Sequence, residues 1–258
     1  MRWWAALPRD GLGALADRLT VRFLYGQGAP GWLGRPLRLA GGRFVFRDAG
    51  ELYGYVEVFL HHAYDRVPDF VPRDGWRIVD VGANVGCFAA YVCRRMRRGT
   101  LLAVEPNPEV AGRAAEHLGF WRRRRPALRI HLEAVAAGAA GGEAVLHVPV
   151  GGSVRASLNG EGEGLLVPVR GLDELVPAVG IDGVDLLKID VEGSELAVLQ
   201  GAERTLRHTA RIVLEWHGQF CREDVRRLLE ANGLVRCAAF PGEEETVGID
   251  YYRRGARA

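Results

Sequence analysis

Cysteine is scarce in this sequence, and the few thiols are poorly placed for chemistry. The 258 residues include four cysteines, at positions 87, 93, 221 and 237. No two of them form a Cys-x-x-C pair, and their spacing matches neither a zinc site nor a small disulfide framework. We therefore expect reduced thiols and a cytoplasmic protein.

The sequence also lacks an excess of charge of either sign and any long apolar run. Lys and Arg total 34 against 32 Asp and Glu, and this net charge of +2 excludes attraction of the whole molecule to nucleic acid or anionic membrane. No segment approaches the roughly 20 apolar residues that a membrane span needs. Pro8, Arg9 and Asp10 interrupt the N-terminal apolar patch too early for a signal peptide.

From Trp76 onward, short apolar runs alternate with segments of helical period, which predicts an α/β fold with a parallel sheet wrapped by helices. The predicted strands cover residues 76–81, 100–104, 128–136, 184–189 and 211–216. The predicted helices cover residues 86–98, 108–118, 194–206 and 224–232. Two further apolar runs within residues 234–254 predict an antiparallel hairpin that closes the sheet.

Residues 1–75 do not follow this alternation. They contain a predicted helix over 11–25, a strand-like LRLAGGRFVFR and the aromatic segment YGYVEVFLHHAYDRVPDF. We expect them to form a small N-terminal cap over a main domain of residues 76–258. Within that domain, GGSVRASLNGEGEG at residues 151–164 predicts a mobile loop.

The stretch IVDVGANVG, residues 78–86, runs an apolar strand into two glycines. Ligands of open parallel sheets bind beyond the carboxyl ends of the strands, where Gly82 would admit a ligand to the backbone and Gly86 would allow close packing of helix on strand. An ordinary tight turn explains the glycines equally well. Glu105, at the end of the next strand, favours a ligand site because a carboxylate can accept hydrogen bonds from ribose hydroxyls.

The spacing of the glycines bears on which nucleotide binds. The turn lacks the middle glycine and the span of G-x-G-x-x-G, which argues against a pyrophosphate and so against a nicotinamide-dependent dehydrogenase. A nucleoside with a small zwitterionic tail, such as S-adenosylmethionine, fits the turn better.

Three segments resemble the FkbM family of S-adenosylmethionine-dependent methyltransferases: IVDVGANVG, AVEPNP, and LLKIDVEGSELAVLQGAERTL at residues 186–206. VPVRGLDEL, with Asp173, and LEWH extend the likeness, which covers about residues 55–217. The resemblance implies a Rossmann-like class I fold, with a mostly parallel seven-stranded sheet and helices on both faces. It also implies S-adenosylmethionine as cofactor and transfer to a hydroxyl of a sugar, glycan or secondary metabolite.

The resemblance further implies roles for individual residues. The methionine part of the donor would contact the glycine turn, at Asp80, Gly82, Asn84 and Gly86. Glu105 would hold the ribose. The adenine would lie near the ends of the next two strands, at Asn107, Glu133, Ala134 and Val135. Asp190, after strand four, would face both the sulfonium and the acceptor.

Methyl transfer from a sulfonium is an in-line displacement, so positioning supplies much of the rate and a base only takes the proton of the acceptor. Candidates for that base lie at the ends of two adjacent strands: Asp190, Glu192, Glu215 and His217. Strand alternation places Lys188 with Asp190, and Glu215 with His217, on common faces. The predicted catalytic residues are Lys188, Asp190, Glu215 and His217.

Simpler interpretations remain open for the same residues. Lys188 and Asp190 equally fit a structural ion pair. Glu192 and Glu195 fit the favourable position of acids in a first helical turn. His217 fits a strand cap as well as a base with an ordinary pKa of about 6.5. Asp190, Glu215 and His217 would also suit a divalent cation, but no metal is assigned because their spacing matches no ligand motif.

The aromatic segment of the cap supplies candidates for the acceptor pocket: Tyr55, His61, His62 and Tyr64. Glu192 would join them from the main domain. An aromatic stripe of this kind equally fits core packing.

Two other functions compete with O-methylation. Arginines within residues 94–98 and 122–125 would suit an RNA or other nucleic-acid methyltransferase, although such runs are common on outer helices. IDVEG also stands where base-amine methyltransferases carry an Asn- or Asp-Pro-Pro-aromatic motif. A non-catalytic donor-binding domain is disfavoured by the intact donor residues. We therefore expect a small-molecule or glycan acceptor with a free hydroxyl; no signal indicates an oligomeric state.

Overall fold

The protein was studied as a computed structural model, in which residues 33–149, 156–158, 163–242 and 246–255 are described. The predicted helix over 11–25 and most of the predicted loop over 151–164 lie outside these ranges. The described helices include none with the length and apolarity that crossing a lipid bilayer requires.

The described strands are, in chain order, β1 (Leu37–Leu39), β2 (Gly42–Phe44), β3 (Arg77–Val81), β4 (Arg98–Val104), β5 (Ala127–Glu133), β6 (Ala136–Ala137), β7 (Gly142–Val148), β8 (Glu163–Arg170), β9 (Leu186–Ile189), β10 (Arg211–His217), β11 (Leu234–Pro241) and β12 (Val247–Arg254). The α-helices are α1 (Ala49–Tyr55), α2 (Cys87–Arg95), α3 (Pro108–Arg124), α4 (Leu172–Ala178), α5 (Glu195–Gln200), α6 (Glu203–Arg207) and α7 (Gln219–Ala231). A π-helical turn, Val56–Leu60, continues α1, and a 3-10 turn follows at Pro68–Phe70.

A seven-stranded sheet with the order β11-β12-β10-β9-β3-β4-β5 forms the centre of the molecule. Within it β12 runs antiparallel to both of its neighbours, and the pairs from β10 to β5 are parallel. The predicted mostly parallel sheet and its closing hairpin are confirmed. All the parallel strands end at one edge, where loops and helix N-termini meet.

Two hydrophobic cores lie on opposite faces of this sheet, because successive residues of the central strands point to opposite sides. Ile78 of β3 belongs to one core and Val79 to the other, and both are fully buried. Leu186 and Leu187 of β9 divide in the same way. The predicted helices on both faces are thus confirmed.

The predicted helix over 194–206 is in fact two helices, α5 and α6. At the break, a Cβ on Gly201 would lie 1.9 Å from the carbonyl oxygen of Gly138, so the chain passes directly against another loop. Asp173 holds the second helix, since its carboxylate accepts hydrogen bonds from the backbone N–H groups of Arg204 (2.8 Å) and Thr205 (2.7 Å). A contact distant in sequence therefore overrides the helical period of this segment.

A second, three-stranded sheet with the order β6-β8-β7 was not predicted. It begins where the predicted strand over 128–136 was expected to end, because β5 stops at Glu133 and the chain changes sheet at Ala136. Leu146 and Val167 form its small core. This sheet lies beside the carboxyl edge of the central sheet and supplies residues to the cavity described below.

The N-terminal cap shares the first core with the main domain through Phe44 and Phe59. His117 of α3 ties the two parts together: its Nε2 accepts from the N–H of Val45 (2.8 Å), and its Nδ1 donates to the carbonyl oxygen of Val85 (2.6 Å). The fully buried Glu51 also pairs with Arg113 of α3. The proposed boundary at residue 75 stays a prediction.

Gly82 sets the distance between the carboxyl ends of β3 and β9. Its φ is +74°, and a Cβ there would lie 1.7 Å from the carbonyl oxygen of Asp190. The glycine is therefore required for the close approach of these two backbone segments, while its predicted contact with the donor stays a prediction. Gly86, with φ of +82°, opens α2 and faces Ala114 of α3 at an ordinary 3.5 Å, so it is needed for its backbone conformation and not for close packing on the strand.

Gly82→Ala should lower the free energy of unfolding by at least about 3 kcal/mol, since the added methyl group meets a backbone oxygen in a conformation that L-residues avoid. Urea unfolding followed by circular dichroism measures this. Gly112→Ala is the matched control, because it lies inside α3 with no atom within 4 Å of the added Cβ. It should raise stability by about 0.5–1 kcal/mol. Wild-type stability of the Gly82 variant would contradict this account.

Candidate active site

A cavity of about 840 Å³ opens at the carboxyl edge of the central sheet. The strand ends supply Gly82, Glu105, Asp190 and Glu215, while the small sheet contributes Leu146. The cap closes another side. The volume of the cavity lies within the range of ligand sites, and the cavity lies where open parallel sheets bind ligands.

Lys188 of β9 lies at the base of the cavity and is almost fully buried. Its Nζ donates to the carbonyl oxygen of Gly82 (2.7 Å) and pairs with Asp80 at 3.2 Å and Asp190 at 3.4 Å. Burial opposes the charge, but the two carboxylates outweigh it and raise the pKa of Lys188, which stays protonated. Lys188 therefore joins β3 to β9, as the ion-pair interpretation expected.

Asp80 lies behind Lys188 and is fully buried. Burial raises its pKa, while Lys188 favours its charged form. Asp80 is not one of the described residues that line the cavity. Its predicted contact with the donor stays a prediction.

Tyr64 brings two carboxylates together on the cavity wall. Its hydroxyl lies 3.0 Å from Oδ2 of Asp190 and 2.8 Å from Oε2 of Glu215, and it can donate to only one of them at a time. The ring covers Nζ of Lys188 at 5.3 Å from the centroid. The predicted acceptor residue Tyr64 and the predicted catalytic residues thus meet at one point.

Burial and the neighbouring carboxylates shift the titration of this group of acids. Burial and the charge of Asp190 raise the pKa of Glu215 to about 7. Glu57, from the π-helical turn of the cap, lines the same cavity, and burial with the charges of Glu215 and Asp190 raises its pKa to about 9. The raised pKa favours the protonated form of Glu57 at neutral pH, and that form can donate a hydrogen bond.

Glu57 was missed by the sequence analysis. Its signal is a single carboxyl within the apolar run VEVFL, in a segment interpreted as a packing helix. The π-helical geometry of this turn is a further indication, because such turns occur frequently at functional sites.

His217 at the end of β10 is held by two acids. Its Nδ1 donates to Oε1 of the fully buried Glu195 (2.7 Å), and its Nε2 lies 3.5 Å from Oε2 of Glu192. Burial alone lowers the pKa of His217, but the hydrogen bond to Glu195 and the charges of Asp190 and Glu192 outweigh it and raise the pKa to about 9. This raised pKa disfavours a base with an ordinary pKa, and a catalytic role for His217 stays a prediction.

Glu105 occupies the place expected of a ribose ligand. It lines the cavity, and its two oxygens accept hydrogen bonds from the backbone N–H groups of Asn84 and Asn107, each at 2.9 Å. The contacts fix the carboxylate while each oxygen keeps a further lone pair. Burial raises the pKa of Glu105 to about 7, although both backbone hydrogen bonds oppose this shift.

Several residues predicted at the donor lie away from the cavity wall. Asn107 caps α3, since its Oδ1 accepts from the N–H of Glu109 (3.1 Å). Glu133 pairs with Arg170 at 3.7 Å, and Val135 packs in the second core. The wall near the predicted adenine position is made instead by Pro106, Ala136 and Ala137, with Asn84 and Gly82 on the opposite side.

Three of the predicted acceptor residues also lie elsewhere. Tyr55 is fully buried and stacks on Phe59 with ring centroids 4.6 Å apart, as core packing would require. His61 packs edge-on against Tyr53, and His62 pairs with Asp65 at 3.1 Å. Glu192 does line the cavity, as expected.

The arginine runs are largely engaged within the protein. Arg122 donates to the carbonyl oxygen of Ile130, and Arg125 donates to that of Cys93. Arg124 stacks over Phe120 at 3.8 Å. These contacts account for much of the basic sequence without a nucleic acid.

Comparison with known proteins decides the family. Residues 80–235 match the model of the methyltransferase FkbM domain, which is more than half of the chain. The chain belongs to the FkbM methyltransferase family. The predicted cofactor is confirmed with it, because this family uses S-adenosylmethionine as its methyl donor.

Two curated members of the family are similar to this FkbM chain. The hexuronic acid methyltransferase AglP of Haloferax volcanii is 29% identical over 150 residues, which cover 58% of this chain and 59% of AglP. The 2-O-methyltransferase NoeI of Sinorhizobium fredii is 29% identical over 160 residues, covering 55% and 63%. The chain thus spans about three fifths of the length of each of these relatives.

The crystal structure of an FkbM methyltransferase from Methylobacillus flagellatus confirms the fold. It superposes with a TM-score of 0.50 at 18% sequence identity, over 80% of this chain and 55% of that one. The likeness and the strand order together establish the Rossmann-like methyltransferase fold that the sequence predicted.

Lys188→Met should lower the free energy of unfolding by about 3–5 kcal/mol, because it leaves Asp80 buried without its cation. Urea unfolding measures the loss. The double variant Asp80→Asn, Lys188→Met removes both charges and should recover a large part of the stability. A double variant no more stable than the single one would contradict the assigned pairing.

Binding of S-adenosylhomocysteine should strengthen as the pH rises from 6 to 8 and then level off. The pKa of Glu105 is raised to about 7 in the unbound protein, and ribose hydroxyls donate to its ionised form, which gains population through that range. Calorimetric titration across the pH series measures this. Glu105→Gln should abolish the rise and weaken binding at pH 8 by about 1–3 kcal/mol. An affinity of the wild type that does not change with pH would exclude Glu105 from the ribose site.

Proposed function

We propose that the protein transfers the methyl group of S-adenosylmethionine to a hydroxyl oxygen of a sugar, a glycan or a similar hydroxylated metabolite. The observation that carries this proposal is the meeting of Tyr64, Asp190 and Glu215 beside the donor edge of the sheet. A hydroxyl must lose its proton as it attacks, and a carboxylate at this position would accept it. AglP and NoeI, named for a hexuronic acid substrate and for 2-O-methylation, support the same chemistry.

The donor would lie along the carboxyl edge of β3 and β4. The backbone of Gly82 and Asn84 would face its methionine part, and Glu105 would bind the ribose hydroxyls. The acidic wall of the cavity suits the positive sulfonium. Lys188 would hold Asp190 in place and would not touch the reacting atoms.

The acceptor would lie between the strand ends and the cap, residues 1–75. Tyr64 and Glu57 line that side of the cavity, and protonated Glu57 would donate a hydrogen bond to an acceptor oxygen. In the reaction the acceptor oxygen forms a bond to the methyl carbon as the sulfur–carbon bond breaks. The hydroxyl proton passes to Glu215, and neutral S-adenosylhomocysteine leaves.

We assign the base to Glu215 on the contacts around it. Asp190 already pairs with the cation of Lys188, which lowers its tendency to take up a proton, so we assign it a positioning role. Glu215 contacts only the neutral hydroxyl of Tyr64 within hydrogen-bonding distance among the described side chains.

The experiment is methyl transfer from methyl-deuterated S-adenosylmethionine to uronic acids, neutral hexoses, glycans, hydroxylated metabolites and, as the rival acceptor, RNA. Mass spectrometry and NMR identify the product. A methyl ether on a hydroxylated acceptor is expected. A product methylated on nitrogen or on an RNA base would contradict the proposal.

Glu215→Gln should lower kcat on that acceptor by about 10²–10⁴-fold, the usual scale for loss of a general base. Its affinity for S-adenosylhomocysteine should stay within about twofold, because Glu215 lies away from the predicted ribose site. Glu174→Gln, on α4, makes the same change at an exposed acid and should leave both quantities unchanged. Full turnover by the Glu215 variant would remove it from the role of base.

A further inference from the structure

Three side chains on the cavity wall form a group with metal-ligand geometry. Asp190, Glu192 and His217 each offer one ligand atom, and these atoms all lie within 4.8 Å of one another. We propose that they bind one divalent cation, of the Mg²⁺ or Mn²⁺ class. Two carboxylates suit such hard cations, and the imidazole shifts the preference towards Mn²⁺. No metal was predicted from the sequence. The set considered there was Asp190, Glu215 and His217, whereas in the structure Glu192 takes the place of Glu215.

The orientation of His217 is that of a metal ligand. Its Nδ1 donates to Glu195 at 2.7 Å, which leaves Nε2 to face Glu192 and the cavity. A carboxylate behind the imidazole in this way fixes the tautomer and the ring of metal-binding histidines. Glu195 is itself fixed, because it is fully buried and its Oε1 also accepts from the N–H of Gly193 at 3.0 Å.

The backbone holds Glu192 in an uncommon conformation that brings it to this group. Its φ is +52°, in the left-handed region that non-glycine residues rarely adopt. The hydroxyl of Ser157 donates to its carbonyl oxygen at 2.7 Å. Conformations of this kind persist where the surroundings enforce them, and they concentrate at ligand sites.

A second observation independent of the acids indicates a ligand. Ser194 lines the same cavity with 6% of its surface exposed, and its Oγ is buried with no hydrogen-bond partner among the described residues. A buried hydroxyl without a partner is costly, and a water bound to the cation would satisfy it.

The cation gives the acceptor hydroxyl a second partner besides Glu215. This consequence rests on the proposed function, whereas the binding of the cation does not. A hydroxyl oxygen bound to a divalent cation loses its proton more readily, and Glu215 would receive that proton.

The test is a titration of the chelator-treated protein, all 258 residues, with Mn²⁺ alone, followed by electron paramagnetic resonance, with and without saturating S-adenosylhomocysteine. One ion per chain should bind with a dissociation constant below about 1 mM. Glu192→Gln should weaken binding at least about tenfold. Glu203→Gln changes an exposed acid of α6 in the same way and should bind like the wild type.

The electron spin echo of bound Mn²⁺ should show a nitrogen coupling from imidazole, which His217→Gln should remove. No binding in either condition, equal binding by Glu192→Gln, or the absence of nitrogen coupling would overturn the proposal. The outcomes also separate it from the proposed function. O-methyl transfer at full rate in excess chelator would overturn the role of the cation in the reaction and leave the O-methyl transfer standing. Mn²⁺ binding to a protein that methylates only nitrogen would overturn the O-methyl transfer and leave the cation site standing.

Discussion

The architecture of the candidate site depends on one buried ammonium group. Lys188 contacts a carbonyl oxygen of β3 and two carboxylates, Asp80 and Asp190, at the same time. The contact with Lys188 offsets much of the cost of burying Asp80, so moving the ammonium group would leave a buried carboxylate without its cation. Because Asp190 is also bound to Tyr64, the cap, the glycine turn and the acidic wall are all positioned by this group.

Much of the fold could be predicted from the sequence because the central strands are apolar on both faces and the helices between them are periodic. The family motif IDVEG likewise indicated Asp190, which does line the cavity. Long-range contacts could not be predicted in this way. The break between α5 and α6 depends on Gly138, which lies far away in sequence, and the pKa of His217 depends on Glu195 from another element. Local patterns carry no information about such partners.

The pKa values of the acids in the cavity also depend on long-range contacts and could not be predicted from the sequence. Glu57 and Glu215 come from segments that are far apart in sequence. Burial raises the pKa of both, and the charge of Glu215 raises that of Glu57 further, only after the cap packs on the sheet. Burial in a shared cavity makes one a neutral donor and leaves the other close to its midpoint at neutral pH. Environment, and not residue type, gives two glutamates different properties.

The hydrogen bonds of His117 have a consequence for protein engineering. The imidazole accepts a hydrogen bond from the N–H of Val45 in the cap and donates one to the carbonyl oxygen of Val85 in the glycine turn. These two hydrogen bonds fix the distance between the cap and the glycine turn. A chimera that takes its cap from a relative, to change the acceptor, would leave Nε2 of this buried imidazole without a hydrogen bond unless the new cap supplied an N–H at the position of Val45. The transferable module is therefore the cap together with the facing surface of α3, and a chimera cut at the chain boundary alone would disturb the donor loop.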